Sequence, residues 1–216
     1  MFNLDASFSI IILGLDLFGT IVFAVTGALR AIEHKYDIVG IIILATVTGI
    51  FGGVMRDTIL GIFPPHNFSD TIHILMTTIT AVIIFFLYHK SKKYENVFNI
   101  FDAVGLGVFT FTGASIAYSL FSTNMVLIVI SGLLTAFGGG ILRDVFVREP
   151  PIVFTKEVYA VASFIGVIIF LLMANIKIQF EYTAVTVILV TTGIRLVSIK
   201  LHWNLPKVKT WTHFKD

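Results

Sequence analysis

The chain has 216 residues and a formal net charge of +2; 56% of the residues are hydrophobic and only 13% are charged. A soluble domain carries roughly 25% charge, so with a mean hydropathy of +0.95 this composition is that of an all-α integral membrane protein. Cysteine is absent, which excludes disulfides, thiolate metal sites and cysteine nucleophiles. The six histidines show no paired metal-ligand spacing on one helix, so no metal site and no cofactor are expected.

A membrane-crossing helix needs about 20 predominantly apolar residues. Seven stretches qualify, at roughly 8–29, 38–62, 71–89, 98–120, 125–147, 157–174 and 183–200. The first follows no basic n-region or small-residue cleavage site and is expected to be retained. Glu33-His34-Lys35 closes the first hairpin, double prolines follow the second and fifth stretches, and His89-Lys90-Ser91-Lys92-Lys93 follows the third. The sixth is short and opens on Lys156-Glu157. With the N-terminus outside, twelve of the fifteen basic residues fall on the cytoplasmic side, against Arg56 and Lys177 on the other and Arg195 within the last stretch. The positive-inside rule therefore predicts the N-terminus out and the C-terminus in. Arg195 is expected to snorkel to the cytoplasmic surface. The tail over 206–215 mixes bases with aromatics and reads as a surface anchor, with Trp203 and Trp211 at headgroup level; it is too short for a nucleic-acid reader.

The chain repeats itself. Asp16 to Ala28 aligns with Asp102 to Ala114 at an offset of 86, with seven of thirteen positions identical. Thr48 to Asp57 aligns with Thr135 to Asp144 at an offset of 87, and Pro64-Pro65 returns as Pro150-Pro151 at 86. Chance matches in apolar sequence involve Leu, Ile and Val rather than Asp, Arg and Pro. Each copy holds three stretches, an odd number, so the second copy enters the membrane from the opposite side. The expected organisation is a first three-helix repeat over 1–95, an inverted second over 96–180, and a seventh helix with the tail over 181–216.

The chemistry concentrates in Gly52-Gly53-Val54-Met55-Arg56-Asp57 and Gly138-Gly139-Gly140-Ile141-Leu142-Arg143-Asp144. Helix-weakening glycines followed by an ionisable pair at membrane depth belong where backbone lines a cavity or an ion path, and inverted repeats place their sites on interrupted helices at the repeat interface. Arg56 lies eight residues before Pro64, roughly 12 Å from the helix end. The plainer alternative is that each arginine snorkels and each glycine serves close packing. Sequence neighbours do not face each other on a helix, so Arg56 and Asp57 are expected to have separate partners, with Asp57 or Asp144 pairing to an arginine across the repeat interface. Asp16 and Asp102 are secondary polar candidates, either hydrogen-bonded to Thr or Ser or placed on the ion path. There is no nucleotide-binding loop and no nucleophile–base constellation, so enzyme activity is not expected.

The paired GG-x-x-R-D segments, the duplicated D-x-x-G…F-x-x-T-G-A segments and the 3+3+1 arrangement resemble prokaryotic trimeric intracellular cation (TRIC) channels, a family whose repeat is also described as glycine-transporter-like. The resemblance covers about residues 10–200. It implies a homotrimer in a prokaryotic inner membrane, with one pore per protomer passing monovalent cations, K⁺ above Na⁺. It further implies a pore formed by bent second and fifth stretches, with Gly52, Gly53 and Gly138–Gly140 at the bends and Arg56 and Arg143 beside it. Animal relatives carry Lys-Glu-Val after the glycines and bind an inositol lipid; Arg-Asp stands here, and Phe51 replaces Gly138 in the first copy. Membrane lipids are the other expected partner. The competing function is secondary transport of a small zwitterion such as glycine, with Arg56 or Arg143 forking its carboxylate.

Overall fold

The computed structural model describes residues 6–69, 71–88, 94–155 and 158–203. The 206–215 tail, the basic stretch 89–93 and Lys156-Glu157 lie outside the described residues. The elements are α1 (Ala6–Glu33), α2 (Ile38–Leu60), α3 (His66–Ser69), α4 (Ile72–Leu87), α5 (Tyr94–Phe121), α6 (Met125–Phe146), α7 (Ile152–Thr155), α8 (Tyr159–Asn175) and α9 (Phe180–Leu201), with no strand among the described residues. Each of the seven apolar stretches coincides with a helix. Five (α1, α2, α5, α6 and α9) are long and apolar enough to cross a membrane; α4 and α8, at 16 and 17 residues, are shorter apolar helices.

The helix ends have local causes. Asp37 caps α2 by accepting the Gly40 amide at 2.7 Å, and Asn124 caps α6 by accepting the Leu127 amide at 3.0 Å. α2 stops at Gly61, whose φ of +73° closes the last turn.

α5 lies at the centre, packed by α1, α6, α8 and α9, and is the most enclosed of the long helices. Around it the two copies meet by matched contacts. A Cβ on Gly52 of α2 would collide with the Thr135 carbonyl oxygen of α6, and one on Gly139 of α6 with the Thr48 carbonyl oxygen of α2. α1 and α5 meet in the same way: Gly19 faces the Phe109 ring, Gly105 faces the Phe23 ring, and the two rings stand edge-on at 5.1 Å. Within each copy, Gly27 lies under Thr48 and Gly113 under Thr135.

These contacts correct the expectation of interrupted helices. α2 and α6 run unbroken through their glycines. The missing side chains let two backbones touch, which a Cβ would prevent.

Candidate functional site

The R-D motif and the double proline that follows it form one device. Proline has no N–H, so the residue after each Pro-Pro offers the first free amide of a short helix, α3 or α7. Asp57 Oδ2 accepts the His66 amide at 2.8 Å, and Asp144 Oδ2 accepts the Ile152 amide at 2.8 Å. The other oxygen of each aspartate holds the arginine beside it: Arg56 Nε donates to Asp57 Oδ1 and Arg143 Nε to Asp144 Oδ1, both at 2.8 Å.

Each arginine then reaches a second carboxylate from the first helix of its own copy. Arg56 Nη1 donates to Asp16 Oδ1 at 3.2 Å, and Arg143 Nη1 donates to Asp102 Oδ1 at 3.0 Å. All six groups are buried. The glycine one turn back lies beside each guanidinium, at ordinary contact distance: a Cβ on Gly53 would lie 3.5 Å from Arg56 Nη2, and one on Gly140 would lie 3.6 Å from Arg143 Nη2. Buried charge without partners is prohibitive in a membrane, whereas paired and hydrogen-bonded charge is not.

The surroundings differ. Asp16 Oδ2 also meets His73 Nε2 at 3.1 Å, and Asp57 Oδ2 meets His66 Nδ1 at 3.0 Å. In the second copy Ile152 stands where His66 does and Tyr159 where His73 does, each 86 residues on. Arg143 Nη1 also donates to Thr26 of the first copy at 3.0 Å, and its guanidinium lies over the Phe98 ring at 4.7 Å. Ile12 occupies the position matching Phe98.

Two cavities approach these clusters from opposite ends of the bundle. One, of about 450 Å³, lies where α1 begins and α2 and α5 end; apolar walls including Ile12, Leu13 and Leu120 lead to a floor of Asp16, Arg56, His66 and His73. The other, of about 970 Å³, lies where α5 begins and α1, α6 and α9 end, and is lined by Arg30, Glu95, Glu149, Ile152, Arg195 and Trp203 among others.

Several expectations are corrected here. Arg56 and Asp57 are partners, as are Arg143 and Asp144, because an arginine stem is long enough to fold back along its own helix. No hydrogen bond or ion pair joins the two clusters among the described residues, so neither Asp57 nor Asp144 pairs with the opposite arginine. Asp16 and Asp102 are ion-pair members rather than partners of Thr or Ser. Arg195 does not snorkel: it is 4% exposed and its guanidinium rests on the Tyr159 ring at 4.6 Å, an aromatic face that accommodates a cation inside the protein. His73, His66, Tyr159 and Phe98 had no site role in the sequence reading. Continuing the 86-residue offset past the prolines would have paired the first three with their counterparts.

The model of a family described as "Glycine transporter" matches the chain twice, over 13–89 and 99–175. A UPF0126 membrane protein of Vibrio cholerae is 36% identical over 193 residues, covering 89% of this chain and 80% of the relative. A UPF0126 inner membrane protein of Escherichia coli is 32% identical, covering 89% and 93%. The TRIC trimeric intracellular cation channel orthologue from Rhodobacter sphaeroides superposes with a TM-score of 0.85 at 31% identity, over 89% of this chain and 99% of that one. The chain belongs to the TRIC family. A prokaryotic TRIC channel solved in 0.5 M KCl agrees equally well, with a TM-score of 0.85 over 91% and 100% of the two chains. Both matches of the family model enclose a complete arginine cluster: Asp16, Arg56, Asp57 and His73 in the first, Asp102, Arg143, Asp144 and Tyr159 in the second. The TRIC fold is all-helical and membrane-embedded, and its solved members are ion channels rather than enzymes.

Proposed function

We propose that this chain is a monovalent cation channel, K⁺ above Na⁺, with one pore in each protomer of a homotrimer. The path runs along α2 and α6, from one cavity to the other past Gly52, Gly53, Arg56 and Asp57 and then Gly138, Gly139, Gly140, Arg143 and Asp144, with Asp16 and Asp102 as part of its charge. The seven longer helices cross the membrane, α1–α4 and α5–α8 as inverted repeats over 1–95 and 96–180, with the N-terminus outside and the C-terminus in the cytoplasm. In that frame the smaller cavity is the outer one.

The observation that carries this reading is the charge of the clusters. Each arginine (+1) is held by two aspartates (−2), so with neutral histidines each cluster has a formal charge of −1. An arginine beside a cation path is then no contradiction. The surplus carboxylate charge attracts a monovalent cation, while the guanidinium keeps the well shallow enough for the ion to leave. The same pairing weighs against zwitterion transport, because the carboxylates an arginine would recognise in a substrate are already supplied by the chain. The likeness to cation channels of known structure points the same way.

Planar-bilayer recording of purified protein in asymmetric KCl tests the proposal, with Asp16→Asn and Asp102→Asn alongside. Unitary cation-selective currents are expected, with selectivity over chloride weakened in both variants. A silent bilayer together with saturable glycine uptake into liposomes would replace the channel by a transporter.

A further inference from the structure

The two arginine clusters have matching carboxylates but differ in what else touches them. In the second, the amide of Ile152 and the region of Tyr159 adjoin Asp144 and Asp102; neither residue can gain a proton. In the first, both positions are histidine, and each imidazole contacts a different aspartate: His73 to Asp16 at 3.1 Å, His66 to Asp57 at 3.0 Å. We infer that the Arg56 cluster is a proton-operated gate at one mouth of the path, with His73 and His66 as its proton acceptors; the inference rests on the cation-channel reading.

The geometry fixes which nitrogen does what. An ionised carboxylate only accepts, so the imidazole nitrogen facing it carries the hydrogen. His73 therefore donates from Nε2 and keeps a bare Nδ1, which has no hydrogen-bond partner. His66 donates from Nδ1, leaving Nε2 free on a side chain that is 62% exposed. Both rings line the smaller cavity, His66 with an exposed side chain and His73 with its bare Nδ1 buried behind the ring. Asp16 from α1 contacts His73, Arg56 from α2 and His66 from α3 line the same cavity as His73, and Asp57 holds both Arg56 and His66.

Protonation of His73 takes the cluster from −1 to 0, and protonation of His66 as well takes it to +1. The Arg143 cluster stays at −1 throughout. A cation entering from this mouth then loses the attraction that drew it past Arg56, while its exit at the other end is unchanged. A unit charge a few ångströms from the path is large against thermal energy, so the response is expected to be steep and one-sided.

The test is single-channel recording in symmetric KCl with one compartment at a time taken from about pH 8 to about pH 5.5. Each protein is normalised to its own current at the alkaline end. The native protein is expected to lose current about tenfold, with an effective unit charge gained within a few ångströms of the ion, on acidification of one compartment and not the other. His73→Gln keeps a donor toward Asp16 and should remove most of that response. His66→Gln, made on an exposed side chain where folding is not at stake, should remove a smaller share, and the double variant should be flat. An undiminished pH response in the double variant, or equal responses from both compartments, overturns the gate while leaving the channel intact. Absence of any cation current across the whole pH range, with glycine uptake present, overturns the channel reading itself and the gate with it.

Discussion

The Arg56 and Arg143 clusters begin from the same six-residue logic and end as different environments. Both hold a guanidinium between a neighbouring aspartate and one from the repeat's first helix, with distances that agree to within 0.2 Å. Around Arg143 the remaining space is closed: Thr26 takes a second bond from Nη1, and the Phe98 ring covers the guanidinium while also meeting Arg30 at 4.3 Å. Around Arg56 the matching residue is Ile12, the histidines replace inert neighbours, and a cavity reaches the ion pair. Duplication preserved the charge pattern that makes burial tolerable and released its surroundings. A shared electrostatic core thus supports one end that a cavity reaches and another that is covered.

The largest test of this contrast is to remove each arginine. Arg143→Ala strands Asp102 and Asp144 in a closed site and should cost about 3–5 kcal/mol, the usual penalty for breaking a buried pair. Arg56→Ala should cost less, because water from the cavity can reach Asp16. Thermal unfolding of the two variants in the same detergent checks the order; equal losses would mean that the cavity makes no difference.

Next in size are the glycines at the helix crossing. Gly52→Ala and Gly139→Ala each push a methyl into a facing carbonyl and should cost about 1–3 kcal/mol, the range for overpacking. The same unfolding assay should give closely similar losses, since the contacts match. Gly14→Ala is the control: nothing lies within 4 Å of its Cβ position, and the helix should gain up to about 1 kcal/mol.

A smaller effect is expected from Phe98→Ile, which gives the second cluster the residue of the first. Loss of the ring contacts should cost about 0.5–2 kcal/mol, the range for a cation over an aromatic face. If the cover is what separates the two sites, solvent accessibility around Arg143, read by hydrogen exchange of the α6 amides near it, should rise toward that around Arg56.

Most of the fold was visible in the sequence because lipid imposes a length. The 38–62 stretch became Ile38–Leu60, and even the doubtful 157–174 stretch became Tyr159–Asn175. The repeat was visible because Asp, Arg and Pro are rare enough among apolar residues to serve as landmarks. What stayed hidden was partnership. Asp16 lies 40 residues from Arg56, and nothing local in either segment announces the pairing; only packing of α1 on α2 creates it. The glycines misled for a related reason. A sequence shows that a helix has lost side chains, not whether it has lost them to bend or to admit a neighbour. α3 and α7 were missed because four-residue helices leave no periodicity to read. Their amides, held by Asp57 and Asp144, are nonetheless what binds the double prolines to the charged clusters.

The contacts at the α2–α6 crossing read the same in both directions: glycine to threonine carbonyl, and threonine carbonyl to glycine. Self-complementarity of that kind is the property of an interface between two identical subunits. Each half of this chain therefore carries both sides of its own joint. One helix face of each copy presents both the glycine and the threonine carbonyl that such a joint needs. Because both copies lie in one chain, the histidine end and the covered end carry different residues, which a symmetric dimer of identical chains cannot do.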